Sequence, residues 1–139
     1  MAANTAPIFP KEGQSVGVLI NSANTSADGS GTLFDLITAT VDGTRVDGVI
    51  FTSSQTTAGA SVAKVCRMFL TDTAGANPLP VGEIALPATT RSNTAIGARV
   101  VFFFEKAIIL KSGQKIKVCQ SLRATSADDT AAVAFAGNY

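Results

Sequence analysis

A rhythm runs through this sequence. Short apolar runs rich in Val, Ile and Phe alternate with turn residues, and no segment holds a 3.6-residue apolar period over eleven or more positions. A surface helix needs that longer period, whereas a half-buried strand needs only alternation over four to eight residues. The runs that read as strands are SVGVLIN (15–21), GTLFDLITA (31–39), RVDGVIFTSS (45–54), SVAKVCRMFLT (61–71), VGEIALP (81–87), GARVVFFFEKAIIL (97–110), QKIKVCQSL (114–122) and AAVAFAG (131–137). Eight such runs in 139 residues predict an all-β chain, an antiparallel β-sandwich of jelly-roll-like type. A short extended arm, residues 1–13, precedes a single domain spanning 14–139.

The punctuation supports this reading. ADGSG (27–31) and VDGT (41–44) carry Asp-Gly pairs, which accept the positive φ of tight turns. In DTAGANPLP (72–80), Pro78 and Pro80 are expected to stop strand pairing. LKSGQKI (110–116) reverses around Gly113, and Lys115 and Lys117 then alternate with Ile116 and Val118 as in a half-buried strand.

The stretch VVFFFEK (100–106) asks for more than a core. Alternation places Val101, Phe103 and Glu105 on one face and Val100, Phe102 and Phe104 on the other. Both faces carry large apolar side chains, so the second also needs cover, from the opposite sheet, a loop or a second subunit. At about 25 cal/mol per Å², leaving Val101 and Phe103 in water costs a few kcal/mol. The composition points the same way. Only 15% of residues are charged, against about 25% in a typical globular protein. Ala, Ser, Thr and Gly fill the surface instead, and they suit flat contacts between subunits.

The same composition narrows the chemistry. The net charge of +1 does not suit a phosphate-driven nucleic-acid binder. No run reaches the ~18 uninterrupted apolar residues of a membrane span, and MAANTAPIFPKEGQ has no signal-peptide pattern. The chain contains no histidine, which removes Ser-His-Asp and Cys-His systems and His-containing metal sites. Cys66 and Cys119 sit in apolar runs and read as buried free thiols, with a disulfide between neighbouring strands or subunits as the alternative; two thiols without histidine make half a zinc ligand set. Asp128 and Asp129 in SADDTA read as loop residues. Ser61 and Lys64 fit the S-x-x-K pattern of serine β-lactamases, but i and i+3 point to opposite faces of a strand. Lys111, Lys115 and Lys117 form the one clustered basic patch, a solvated strand face or a contact for an acidic partner. The expectation is a protein that is not an enzyme, with no catalytic, cofactor or metal residues and no cofactor.

Several phrases together carry a resemblance: TAPIF, INSANTSADGSGTL, DGTRVDGVIFTSSQTTAGA, RMFLTDTAGANPLPVGEIALPATTRSNTAIGA and the closing AVAFAGNY. They resemble small virion structural proteins of tailed bacteriophages, in which an extended N-terminus precedes a β-sandwich and an aromatic residue follows the last strand. The resemblance implies a particle component made in the host cytoplasm and carried on the virion. Within that group it suggests a capsid decoration (cement) protein, a homotrimer bound to the major capsid protein, without nucleic-acid or membrane partners. A neck, tail or fibre protein is the second reading, and a carbohydrate-binding module is the third. The third is the weaker because the chain has no Trp and a single Tyr. The resemblance transfers no binding residues. The residues themselves nominate Ile8 and Phe9 in the arm, Val101 and Phe103 on the second strand face, and Tyr139 at the terminus as subunit or capsid contacts.

Overall fold

Alternation does most of the construction. In the computed structural model, which describes residues 10–55 and 59–139, every regular element is a strand. They are β1 (Glu12–Ile20), β2 (Phe34–Thr38), β3 (Thr44–Gln55), β4 (Gly59–Ala60), β5 (Lys64–Thr71), β6 (Leu79–Leu86), β7 (Thr90–Arg91), β8 (Arg99–Leu110), β9 (Lys115–Gln120) and β10 (Asp128–Asn138). Each of the eight expected runs overlaps one of the eight longer strands, with ends that differ by up to three residues. The two additions, β4 and β7, are two-residue strands that pair with each other and are too short to carry a period.

The long strands form two four-stranded sheets, β1-β10-β3-β8 and β2-β9-β5-β6, with all ladders antiparallel. With β4 and β7 set aside, the orders become 1-8-3-6 and 2-7-4-5, so the chain steps from sheet to sheet as a jelly roll does. The core lies between the sheets. Val46, Val49 and Phe51 of β3 and Ala132 and Ala134 of β10 meet Cys66 and Met68 of β5 and Ile116 and Val118 of β9, all fully buried. Alanines on the central strand β10 let the sheets approach closely. Gly82 of β6 allows a second close approach, because a Cβ there would stand 2.7 Å from the Phe102 ring.

Two expectations change. Pro80 does not end the pairing: it lies inside β6, opposite Phe69 and beside a register shift. It is tolerated because β6 is an edge strand and the shift removes the need for its missing N–H. Asp128 and Asp129 are not loop residues; they open β10 and are both buried. Each is neutralised by a cation: Asp128 by Lys64, 64 residues away in sequence, and Asp129 by the nearby Arg123.

The stretch through Glu105 and Lys106 stays in one strand. In β8, Phe103 pairs with Gly48 and Ile108 with Val46, so five steps on β8 match two on β3. The excess leaves the ladder as a bulge carrying the exposed Glu105 and Lys106. Because β8 is an edge, the bulge and its charges oppose pairing with a further strand.

Candidate interaction surface

The side chains that suggested chemistry are committed to structural bonds. Ser61 Oγ accepts the Thr89 N–H at 3.1 Å, while Lys64 Nζ donates to Asp128 Oδ1 at 2.7 Å, so the S-x-x-K pair serves two separate contacts. Lys64 and Asp128 join the two sheets at one end of the sandwich, with side chains 1% and 0% exposed. Gln120 Oε1 takes a second Lys64 proton at 3.3 Å and the Thr130 hydroxyl at 2.6 Å, and Gln120 Nε2 donates to the Ile20 carbonyl. Burial pushes the Asp128 carboxyl up, but the N–H groups of Ala124 and Val62 and the Lys64 ammonium outweigh it and hold the pKa below the ordinary carboxylate value. Asp129 takes the guanidinium of Arg123, which also donates to the Ser126 carbonyl.

The thiols lie on opposite faces of one sheet. Cys66 stands opposite Gln120 and Cys119 opposite Arg67, and neighbouring residues of a strand point to opposite sides. A disulfide between them is therefore excluded by register, and both are free and buried. Burial pushes the Cys66 thiol up to about 12 and raises that of Cys119, which leaves little thiolate at neutral pH. Among the described residues no cluster of His, Cys, Asp and Glu is arranged to hold a metal ion. Among the described residues no helix is long and apolar enough to cross a membrane.

The outer faces of the two sheets differ. On β2-β9-β5-β6, Lys115 and Lys117 both reach Asp35, at 2.8 and 3.0 Å, and Arg67 pairs with Glu83. The basic patch of the sequence is thus partly neutralised, and the hydrogen bond from Lys115 leads in lowering the Asp35 pKa. The apolar Phe69 on this side is fully buried; the turn at Gly29 lies against its ring and Pro78.

The outer face of β1-β10-β3-β8 has no such cover from the described residues. Register assembles it in rows. Phe135, Gly48 and Phe103 lie side by side across β10, β3 and β8, and Val133, Ile50 and Val101 form the next row. Leu19 and Ala131 extend it onto β1, and Thr52 and Arg99 close it. Phe103 is 68% exposed and Leu19 45%. The rings of Phe103 and Phe135 stack over Gly48, 6.3 Å apart and 15° from parallel. Only glycine fits beneath them: a Cβ at position 48 would stand 2.6 Å from the Phe102 carbonyl and 3.1 Å from the Phe103 ring. Four strands at ~4.8 Å spacing and three side-chain rows at ~6.8 Å make a face on the order of 400 Å², apolar at its centre and bounded by Ser15, Thr52 and Arg99.

No family model matches the chain, and no curated protein matches it. Among solved structures the fold is similar to one described as "Capsid of Ralstonia phage GP4", with a TM-score of 0.48 and 13% identity, covering 99% of this chain and 92% of that chain. Likeness at that level decides neither family nor function.

Of the nominated residues, Val101 and Phe103 share this apolar face. Tyr139 lies elsewhere, at the end of β10, where its N–H donates to the Gly43 carbonyl. Ile8 and Phe9 fall outside the described residues. Sequence reasoning missed Ile50, Val133, Phe135 and Gly48. Alternation within AAVAFAG marks Val133 and Phe135 as one face, but joining them to Phe103 requires the strand order.

Proposed function

We propose that this chain is a non-enzymatic structural protein of a tailed-phage virion, a capsid decoration protein that sits on the assembled head as a homotrimer. The apolar outer face of β1-β10-β3-β8 is the contact between copies. Ile8 and Phe9 in the arm, with Tyr139 beside it, reach the major capsid protein. The single observation that carries this reading is the Phe103–Phe135 face, which the described residues leave uncovered. An interface of ordinary size buries about 800 Å² per partner with an apolar centre and a polar rim. The face supplies such a centre, and Ser15, Thr52, Arg99 and Glu105 supply a rim. The virion context comes from the sequence resemblance. Binding to the closed shell and not to its separated subunits stabilises the shell by mass action.

The test is the copy number per purified particle, by quantitative mass spectrometry against the major capsid protein. Hundreds of copies are expected. A dozen or so would move the protein to the neck or tail, and none would end the virion reading. Truncation of residues 1–9 should weaken attachment while sparing the fold, because Lys11 N–H already bonds the Asn138 carbonyl at 2.7 Å. Unchanged attachment would sink the arm's role.

A further inference from the structure

The chain enters the sandwich across its apolar face. Lys11 N–H donates to the Asn138 carbonyl at 2.7 Å, and Pro10, which has no N–H, cannot carry the β1–β10 pairing further. The backbone bends at Lys11, and Pro10 lies on Gly137: a Cβ at position 137 would stand 2.7 Å from the Pro10 Cβ. Position 137 points the same way as Phe135, two residues earlier on β10, so Pro10 sits on the outer side of β1-β10-β3-β8. Beside Gly137 in the same row is Gly13, where a Cβ would meet nothing within 4 Å. The space next to Pro10 is therefore open, and the Phe135–Gly48–Phe103 row follows it.

Two observations name an occupant. The first is reach. Gly137 and Phe135 are one side-chain row apart, ~6.8 Å, and two residues of extended chain span about 7 Å. The two residues before Pro10 are Ile8 and Phe9. The second is chemistry. MAANTAPIF contains no Asp, Glu, Lys or Arg, so its docking on an apolar face strands no charged side chain. Pro7 and Pro10 bracket the apolar pair, and their fixed φ lowers the chain entropy lost on docking.

We propose that in the free chain Ile8 and Phe9 dock on the chain's own Phe103–Phe135 face, so that the arm has two exclusive partners, this face and the shell. Engagement of the arm by the shell uncovers the face for a neighbouring copy, and trimer formation is favoured on the particle over solution. The proposal rests on the reading of this face as the contact between copies.

The test compares the full chain with its I8S/F9S variant in two assays. At concentrations low enough to keep both monomeric, an apolar fluorescent dye reports the uncovered face. Sedimentation equilibrium at higher concentrations reports the balance of monomer and trimer. I8S/F9S is expected to bind more dye and to half-assemble at a concentration about tenfold lower, because the fraction of competent monomer rises. Adding F103S to I8S/F9S should remove the gain in dye, which locates it on this face. Equal dye binding with unchanged assembly would overturn the proposal and leave the copy contact standing. Weaker assembly of I8S/F9S would also overturn it, by making the arm part of the contact between copies. More dye with no trimer at any concentration would uphold the docking and end the reading of the face as a contact between copies.

Discussion

Replacing Lys64 with methionine removes an ammonium from a place sealed from water. Its side chain and that of Asp128 are 1% and 0% exposed, with Nζ 2.7 Å from Oδ1. All three Nζ protons have acceptors: Asp128 Oδ1, Gln120 Oε1 at 3.3 Å and the Asp128 carbonyl at 3.4 Å. Losing one member of such a pair leaves an uncompensated buried charge and costs about 3–5 kcal/mol. Total stability for a domain of this length is roughly 7–20 kcal/mol, so the loss is a large share, about 10–15 °C in melting temperature. Asp128→Asn alone strands the ammonium at similar cost but keeps an acceptor for the Ala124 and Val62 N–H groups. The K64M/D128N double variant removes both charges together, and its loss should fall short of the sum of the single losses by about 2 kcal/mol or more. Urea titration at pH 7 and fixed protein concentration reads this from the midpoints at constant slope. A coupling energy near zero would refute the reasoning. The acid limb gives a second reading. Asp128 has a folded pKa below its unfolded value of 3.8, so its contribution is fully present above that value and is lost as pH falls through the lower folded pKa. Wild type should lose this increment below about pH 4, and D128N should lack it.

Gly48→Ala should destabilise by about 1–3 kcal/mol through overpacking, because its Cβ meets the Phe102 carbonyl at 2.6 Å; unchanged thermal unfolding would contradict the close approach of β3 and β8 at this position. Cys66 and Cys119 should resist an aromatic disulfide reagent in the native protein at pH 8 and react fully in urea, since both are buried. Fast native labelling would contradict their burial, and a disulfide in the oxidised monomer would contradict the register.

The two faces of VVFFF were legible because alternation needs no partner: Phe102 turns inward against Gly82, and Phe103 turns out. What covers the outer face was not, since that depends on which strands lie beside β8. Phe135 is 32 residues from Phe103 in sequence, and only the order β10-β3-β8 sets the two rings over Gly48. The same holds for Asp128, 64 residues from Lys64. A short polar string looks like a loop until the buried cation is known. Cys66 and Cys119 differ by one step of register, and that step decides between a disulfide and two separate thiols.

The central claim, that the Phe103–Phe135 face joins copies of this chain, is tested most directly by sedimentation equilibrium of wild type beside Phe103→Ser. Wild type is expected as a trimer at micromolar concentration. The variant is expected as a monomer with an unchanged far-ultraviolet circular dichroism spectrum, because Phe103 contributes little to the core. A wild-type monomer, or a variant that assembles as wild type does, would contradict the claim.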